Sequence, residues 1–571
     1  VASDSRALAT WLAARDDVVL ADALAARGVS PSIGWHDFFD AAEGLLEPGS
    51  VDRALTRLDR GELIALVSRE SVAGGHATRL ALVDDAGRAF APVTVRVEVA
   101  VAAHPDAFAP VARENAPAAA DARAVAAAAE RAFTTAGALA DVLLACLHAP
   151  LARTGAGAVS AADRRRLADA GAITAPDDLD DLLASAAAAG LAVARERDWA
   201  VTAAGERWLE TPTPQRWAQI AEGFRAGLPQ GLRTPDGGFV APEAWSSAYP
   251  LDPAWPAESA RLHRIGARWG LLGAEDEEYP WTRALRTGAP TDAAALASHL
   301  PAEIDRVYLQ ADLTAIAPGP LAPALDLRLR SLALRESRAQ ASTYRFTAES
   351  LGAGMTDGET AESIRQFLAT LSLTGIPQPL DYLIESTAAR HGLVRVRGDE
   401  ALGRTRVESP DRALLAAIAV DQALRPLGLI ETDDGLTSRV ARDAVYWTLA
   451  DARYPVVALD ASGAPESVHR RATVAPVEPR ATPLQTYARL IATLRGGHGT
   501  EGETGWLERE LEQAVRGRAE IVVVVRMPDG SERSLTLEAS GLGGGRLRGR
   551  DRAADIERTL PVSSIVSVRS P

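Results

Sequence analysis

The sequence predicts an α+β protein, mainly helical and built of several domains, with its clearest sheet at the C-terminal end. Three observations carry that expectation. The chain has 571 residues, more than one hydrophobic core organises. Phe, Trp and Tyr make up only 5 % of it while alanine abounds, which favours helices packed through small side chains. From Glu520 onward, short apolar runs alternate with glycine-bearing turns, the mark of a compact β unit.

Residues 1–130 read as a helical region with a small sheet and a linker. Ser3 or Asp4 would cap a helix with Leu8, Trp11 and Leu12 on one face, and a helix after Ser50 would present Leu55, Leu58 and Leu63. Thr78–Val83 and Val93–Val99 alternate as strands do. Ala103–Ala129, rich in alanine and broken by proline, is expected to be a linker running into a helix.

Residues 131–225 carry the plainest local order. Helices are expected over Ala136–Leu147, from an N-cap at Ser160, and from Asp177 to a stop at Gly190. Extended pieces at Leu191–Arg195 and Trp199–Thr202 follow, with Trp208 and Trp217 closing the unit. Three helices and then a hairpin is the order of a winged helix. Residues 226–300 form a helical connector, in which Glu275–Glu278 reads as a solvated loop, since no glycine-turned cation loop surrounds it.

Residues 301–400 open with two short strands inside Val307–Ile316. Helices are expected at Ala324–Ser337, Glu349–Asp357, Ala361–Ser372 and Leu380–His391, and a strand at Leu393–Arg397. Residues 401–483 would hold a helix from Pro410 to Leu424, a hairpin at Gly428–Thr437 and a proline-rich loop over residues 464–482. Residues 484–571 begin with helices at Leu484–Leu494 and Trp506–Arg516. Strands at Glu520–Met527 and Ser531–Glu538 flank Pro528-Asp529-Gly530, and three more would complete a small barrel.

Composition removes several kinds of chemistry. The chain has no lysine, so all 61 basic residues are arginine and no phosphate-binding loop of the G-x-x-x-x-G-K-[ST] type exists within it. The single Cys146 excludes intrachain disulfides and cysteine-rich metal sites. No histidine pair has ligand spacing, and no nucleophile elbow or dinucleotide fingerprint occurs, so neither metal nor cofactor is expected. The start, Val1-Ala2-Ser3-Asp4, lacks a basic region followed by an apolar run, and the longest apolar runs, such as Ile521–Val525, are strand length. A cytoplasmic protein that does not enter a membrane is expected. The net charge is −15, yet residues 516–571 hold 10 arginines against 7 acids.

Five stretches resemble a known family. They are Val307-Tyr-Leu-Gln-Ala-Asp-Leu-Thr314, Tyr344-Arg-Phe-Thr-Ala-Glu-Ser-Leu351, Gly358 with Ser363-Ile-Arg-Gln-Phe-Leu368, Ser372-Leu-Thr-Gly-Ile-Pro377 and Gly392-Leu-Val-Arg-Val-Arg397. In this order they are similar to the N-terminal region of XPB/Ssl2-type DNA-repair and transcription helicases, which also occurs in stand-alone bacterial helicase-associated proteins. No helicase motor motif follows. The resemblance therefore implies a module that docks near DNA, or near an XPB-type helicase, without the engine. The tail from Arg516 resembles a WYL domain in Val522–Arg526, Asp529-Gly530, Leu547–Asp551 and Arg558–Ile565, which implies a small SH3/Sm-like β-barrel, although Gly545-Arg546 stands where that family has its Trp-Tyr pair.

Two arginine groups are the candidate DNA-binding residues. Arg164, Arg165 and Arg166 on the second helix, with Arg195 and Arg197 on the wing, would flank a winged-helix interface. Against it stands the third helix, whose start, Asp177-Asp178-Leu179-Asp180-Asp181, repels phosphate. Arg546, Arg548 and Arg550 alternate along a strand and would share one face, either as a phosphate track or as an exposed face neutralised by Glu538 or Asp551. The expected function is that of a non-enzymatic accessory protein of a DNA helicase or repair system. A WYL-type transcriptional regulator sensing a ligand is the alternative, and a hydrolase or nuclease assembled across domains is a third class with nothing positive behind it.

Overall fold

A computed structural model describes residues 2–68, 75–109, 117–273, 277–338, 341–399, 403–463, 465–466, 481–498, 502–527, 530–552 and 554–569. The protein is α+β, about half helical, with several small sheets.

Helix α1 (Ala2–Ala13) opens an N-terminal bundle and buries Leu8 and Leu12 against Phe38, Phe39 and Leu45. The alternation at Val93–Val99 does not make a strand. Ala91–Ala103 is a helix, with Val93 and Val97 buried one turn apart and Val95 and Val99 facing solvent. Helix propensity disfavours valine by only about 0.5 kcal/mol per residue, and packing two valines into the bundle outweighs that. Thr78–Val83 is likewise no strand. It holds the end of a short helix, His76–Arg79, and a single bridge from Val83 to Ala89.

Helix α2 (Ala122–His148) begins the next unit, capped by Asp121. Strand β1 (Leu151–Ala152), helix α3 (Ala161–Asp169), helix α4 (Asp178–Ala188) and strands β2 (Ala192–Ala194) and β3 (Asp198–Val201) follow. The sheet order is β1-β3-β2. Ser160 caps α3, and Gly190 takes a left-handed φ of 72° just past α4, both as the sequence reads. Helices α5 (Thr213–Gly227) and α6 (Trp255–Arg268) pack against α4. Trp208 and Trp217 are buried, their indole nitrogens donating to the Arg216 and Trp269 carbonyls. Of the acidic cluster, Glu275 and Asp276 lie outside the described residues. Glu277–Glu278 pairs with Ala118–Ala119 as a two-residue strand, and Glu278 binds Arg286 at 2.6 Å, so this part is no free loop.

Strands β4 (Tyr308–Leu309) and β5 (Thr314–Ala317) stand where expected. Helix α7 (Pro323–Leu332) stops earlier than its sequence suggests, because β6 (Leu334–Arg338) pairs with β7 (Ser342–Arg345) and completes a sheet ordered β4-β5-β7-β6. Helices α8 (Ala348–Thr356), α9 (Ala361–Leu371) and α10 (Gln378–Arg390) cover its inner face.

Strand β8 (Val394–Asp399) pairs antiparallel with β9 (Arg404–Glu408), so a division at residue 400 falls inside a hairpin. With β10 (Ile430–Thr432), β11 (Gly435–Ser438), β12 (Val456–Leu459) and β13 (Pro465–Glu466) they form a sheet ordered β10-β11-β9-β8-β12-β13. The expected helix from Pro410 to Leu424 is shorter, Arg412–Val420, and Asp411 caps it. Most of the expected proline-rich loop, residues 467–480, lies outside the described residues.

Helix α11 (Pro483–His498) returns to the N-terminal bundle and inserts Tyr487, Leu490, Ile491 and Leu494 there. Helix α12 (Gly502–Arg516) instead packs Leu507 and Leu511 on the last sheet. That sheet holds β14 (Glu520–Arg526), β15 (Glu532–Gly543), β16 (Arg546–Asp551), β17 (Ile556–Pro561) and β18 (Ile565–Arg569), in the order β17-β16-β15-β14-β18. The turn residues Pro528 and Asp529 lie outside the described residues, but Arg526 faces Glu532 across the hairpin. The expected barrel is not found. Strands β17 and β18 end the sheet on opposite sides, and no ladder joins them among the described residues, so it stays open.

Candidate nucleic-acid interface

The arginines of α3 divide into bound and free. Arg164 donates to both carboxylate oxygens of Asp180 at 2.7 Å, to the Pro176 carbonyl at 2.8 Å and to the Val159 carbonyl at 3.2 Å. Four bonds commit four of its five N–H donors to the protein itself. Arg166 binds Asp163 at 2.9 Å. Burial alone would raise the Asp163 pKa, but bonds from Arg166, the Ser160 hydroxyl and the Ala152 amide hold it below the ordinary carboxylate range. Arg165 is exposed, with no ion pair among the described residues. Arg197 is exposed and Arg195 half-buried on the turn between β2 and β3, where their carbonyls accept from Arg153.

The acidic start of α4 has a structural use. Asp178 binds Arg268 at 2.6 Å, and Asp181, 3 % exposed, binds Arg264 at 2.7 Å, both arginines lying on α6. The bond from Arg268 holds the Asp178 pKa below its ordinary value despite burial. Ser185 accepts from the Trp269 indole at 3.0 Å, and Leu179, Leu182, Leu183 and Ala186 are buried. With α5 and α6 packed on it, α4 leaves Asp180, Ala187 and Ala188 exposed, an acid and two methyl groups that offer a phosphate no cation.

On β16 the alternation is as the sequence reads. Arg546, Arg548 and Arg550 are exposed, while Leu547 and Gly549 between them are buried. Cross-strand partners then distinguish the three, because side chains at paired positions share a face. Arg550 lies opposite Glu538 and Glu557 and binds Asp555 at 2.6 Å. Arg548 lies opposite Gly541 and Thr559, and Arg546 opposite Gly543 and Pro561. Neither has an ion pair among the described residues. Glu538 and Asp551, the expected neutralising acids, are taken by Arg552 and Arg558. Arg546 and Arg548, about 6.7 Å apart along the strand, are the uncompensated part of the row.

A further arginine face went unnoticed in the sequence, although its signal is there. Arg395, Arg397, Arg404 and Arg406 alternate with the buried Val394, Val396, Thr405 and Val407 on β8 and β9. Arg397 binds Glu408 at 2.7 Å and Arg406 binds Asp399 at 2.8 Å. Arg395 is exposed, with no ion pair among the described residues.

Residues 307–433 match the family model described as Helicase conserved C-terminal domain. This segment is helicase-related. It spans about a fifth of the chain and runs from β4 through β10, so it takes in the outer arginines of β8 and β9. A comparison with curated proteins finds no match to the chain. Among the described residues, no group of three or more His, Cys, Asp or Glu is placed to hold a metal ion, and no helix is long and apolar enough to cross a membrane.

Proposed function

We propose that the chain is a non-enzymatic accessory protein of a DNA helicase or repair system, binding DNA chiefly through Arg546 and Arg548. The observation that carries this reading is the helicase-related segment at residues 307–433 in a chain that has no lysine for a phosphate-binding loop. The five XPB/Ssl2-like stretches lie within or begin at that segment, which favours a helicase of that type as partner. The order helix, strand, two helices, hairpin over residues 122–201 supports a winged-helix-like unit. With α4 packed against α5 and α6, that unit serves as a scaffold, and of its five candidate arginines Arg165, Arg195 and Arg197 remain without an ion pair among the described residues to touch a backbone. A cytoplasmic setting accords with the lone Cys146, a buried thiol.

Fluorescence anisotropy with single-stranded, duplex and forked DNA at two salt concentrations tests the proposal. The full chain should bind, and more weakly at the higher salt, while ATP hydrolysis stays at background with and without DNA. Absence of binding at low salt removes the DNA half of the reading, and DNA-stimulated hydrolysis removes the non-enzymatic half.

A further inference from the structure

A cavity of about 570 Å³ opens between helices α8 to α10 and the sheet that holds β8 and β12. The end of α8, the start of α9 and the end of α10 line one side, and β8 and β12 line the other. Its volume lies in the range of roughly 300–1,000 Å³ that accommodates small molecules, and such sites favour junctions between packed units. Here the junction is between two separate hydrophobic clusters, one under α8 to α10 and one under β8 to β12.

The walls are chemically uneven. Met355, Ala388, Val457 and Leu459 supply apolar surface. Two carboxylates line the cavity, and both are already neutralised. Glu359 accepts from Arg328 at 2.7 and 3.0 Å and from the Ser363 hydroxyl, and Glu466 pairs with Arg442. The capping box of α9 occupies the Ser363 amide with the Thr360 hydroxyl. What remains uncommitted is Arg395 and His391. Arg395 has no ion pair among the described residues, because its cross-strand neighbour Glu408 is held by Arg397. The half-buried His391 side chain makes no hydrogen bond among them. Burial lowers the His391 pKa, so at neutral pH the ring offers one donor and one acceptor. The net charge left for an occupant to answer is therefore the single cation Arg395.

We propose that this cavity binds a small organic anion, with a carboxylate or phosphate head on Arg395 and His391 and an apolar body against Met355, Val457 and Leu459. The site is separate from the β16 arginines and independent of whether the chain binds DNA.

Isothermal titration calorimetry on the full chain tests it with three probes of one shape: 1-naphthyl phosphate, 1-naphthoate and the uncharged 1-naphthalenemethanol. At least one anion should bind at a single site about tenfold or more tighter than the alcohol, as a charge-assisted hydrogen bond implies. The tighter anion identifies the head group. Arg395→Gln, at an exposed position, should bring the anions to the level of the alcohol, and Ala388→Trp should fill the cavity and abolish binding of all three. Failure of both anions to bind at millimolar concentration overturns the proposal. So does anion binding that Arg395→Gln leaves unchanged, a result that stands whether or not the tryptophan variant folds.

Discussion

Asp141 of α2 accepts a hydrogen bond from Arg330 of α7 at 2.7 Å, and the two lie 189 residues apart in the sequence. Arg335 reaches the other carboxylate oxygen at 2.5 Å, and the Asp141 side chain is only 4 % exposed. One buried carboxylate therefore ties the helical unit to the helicase-related segment. Asp141→Asn leaves two largely buried guanidiniums short of an anion and should cost about 3 kcal/mol, as breaking a buried ion pair does. Urea unfolding of the full chain should show that loss, and a change under about 0.5 kcal/mol would mean that the contact is not formed.

The bound and free arginines should separate in DNA binding. The double change Arg546→Gln with Arg548→Gln should weaken binding to every sequence tested and reduce the salt slope by about 2. Arg164→Gln should leave affinity and slope unchanged while lowering stability, because its guanidinium serves Asp180 and two carbonyls. Equal losses from both variants would contradict this division.

Glu510 on α12 is fully buried, and neither carboxylate oxygen has a hydrogen-bond partner among the described residues. Burial pushes its pKa up to about 7, and Arg6, 4.0 Å away, only partly opposes the shift. A carboxyl whose folded pKa exceeds its unfolded value binds its proton more tightly when folded. The protein is thus favoured below about pH 4.5, and that advantage is lost as pH rises through about 7, at a cost of about 3 kcal/mol. Glu510→Gln should therefore raise the unfolding midpoint at pH 8 and leave it nearly unchanged at pH 4. The same shift at both pH values would rule out titration of Glu510 as the cause.

Gly223 sits inside α5, where alanine would ordinarily stabilise a helix by about 1 kcal/mol. Here a Cβ would come within 2.6 Å of the Ala189 Cα and 2.7 Å of its amide nitrogen, just past the end of α4. Gly223→Ala is expected to destabilise by about 1–3 kcal/mol, the cost of overpacking against backbone. Thermal unfolding gives the sign, and a stabilised variant would show that the two helices lie further apart.

Features that depend on neighbours along the chain were legible before any fold was known. Ser160 as a cap, Gly190 as a stop, the buried Trp208 and Trp217 and the shared face of Arg546, Arg548 and Arg550 all follow from spacing over a few residues, and the missing lysine needs no structure at all. What those residues meet was set by contacts between distant parts of the chain. Asp178 and Asp181 read as repelling phosphate until Arg268 and Arg264, 90 and 83 residues onward, neutralise them. Val93–Val99 alternates like a strand, yet it packs as a helix because the N-terminal bundle takes up Val93 and Val97. In the last sheet the strands were legible, but whether its edges meet depends on twist accumulated across five strands, which no local pattern encodes. Local propensities are worth tenths of a kcal/mol per residue, while buried contacts between distant residues are worth several, so the distant contacts set the outcome.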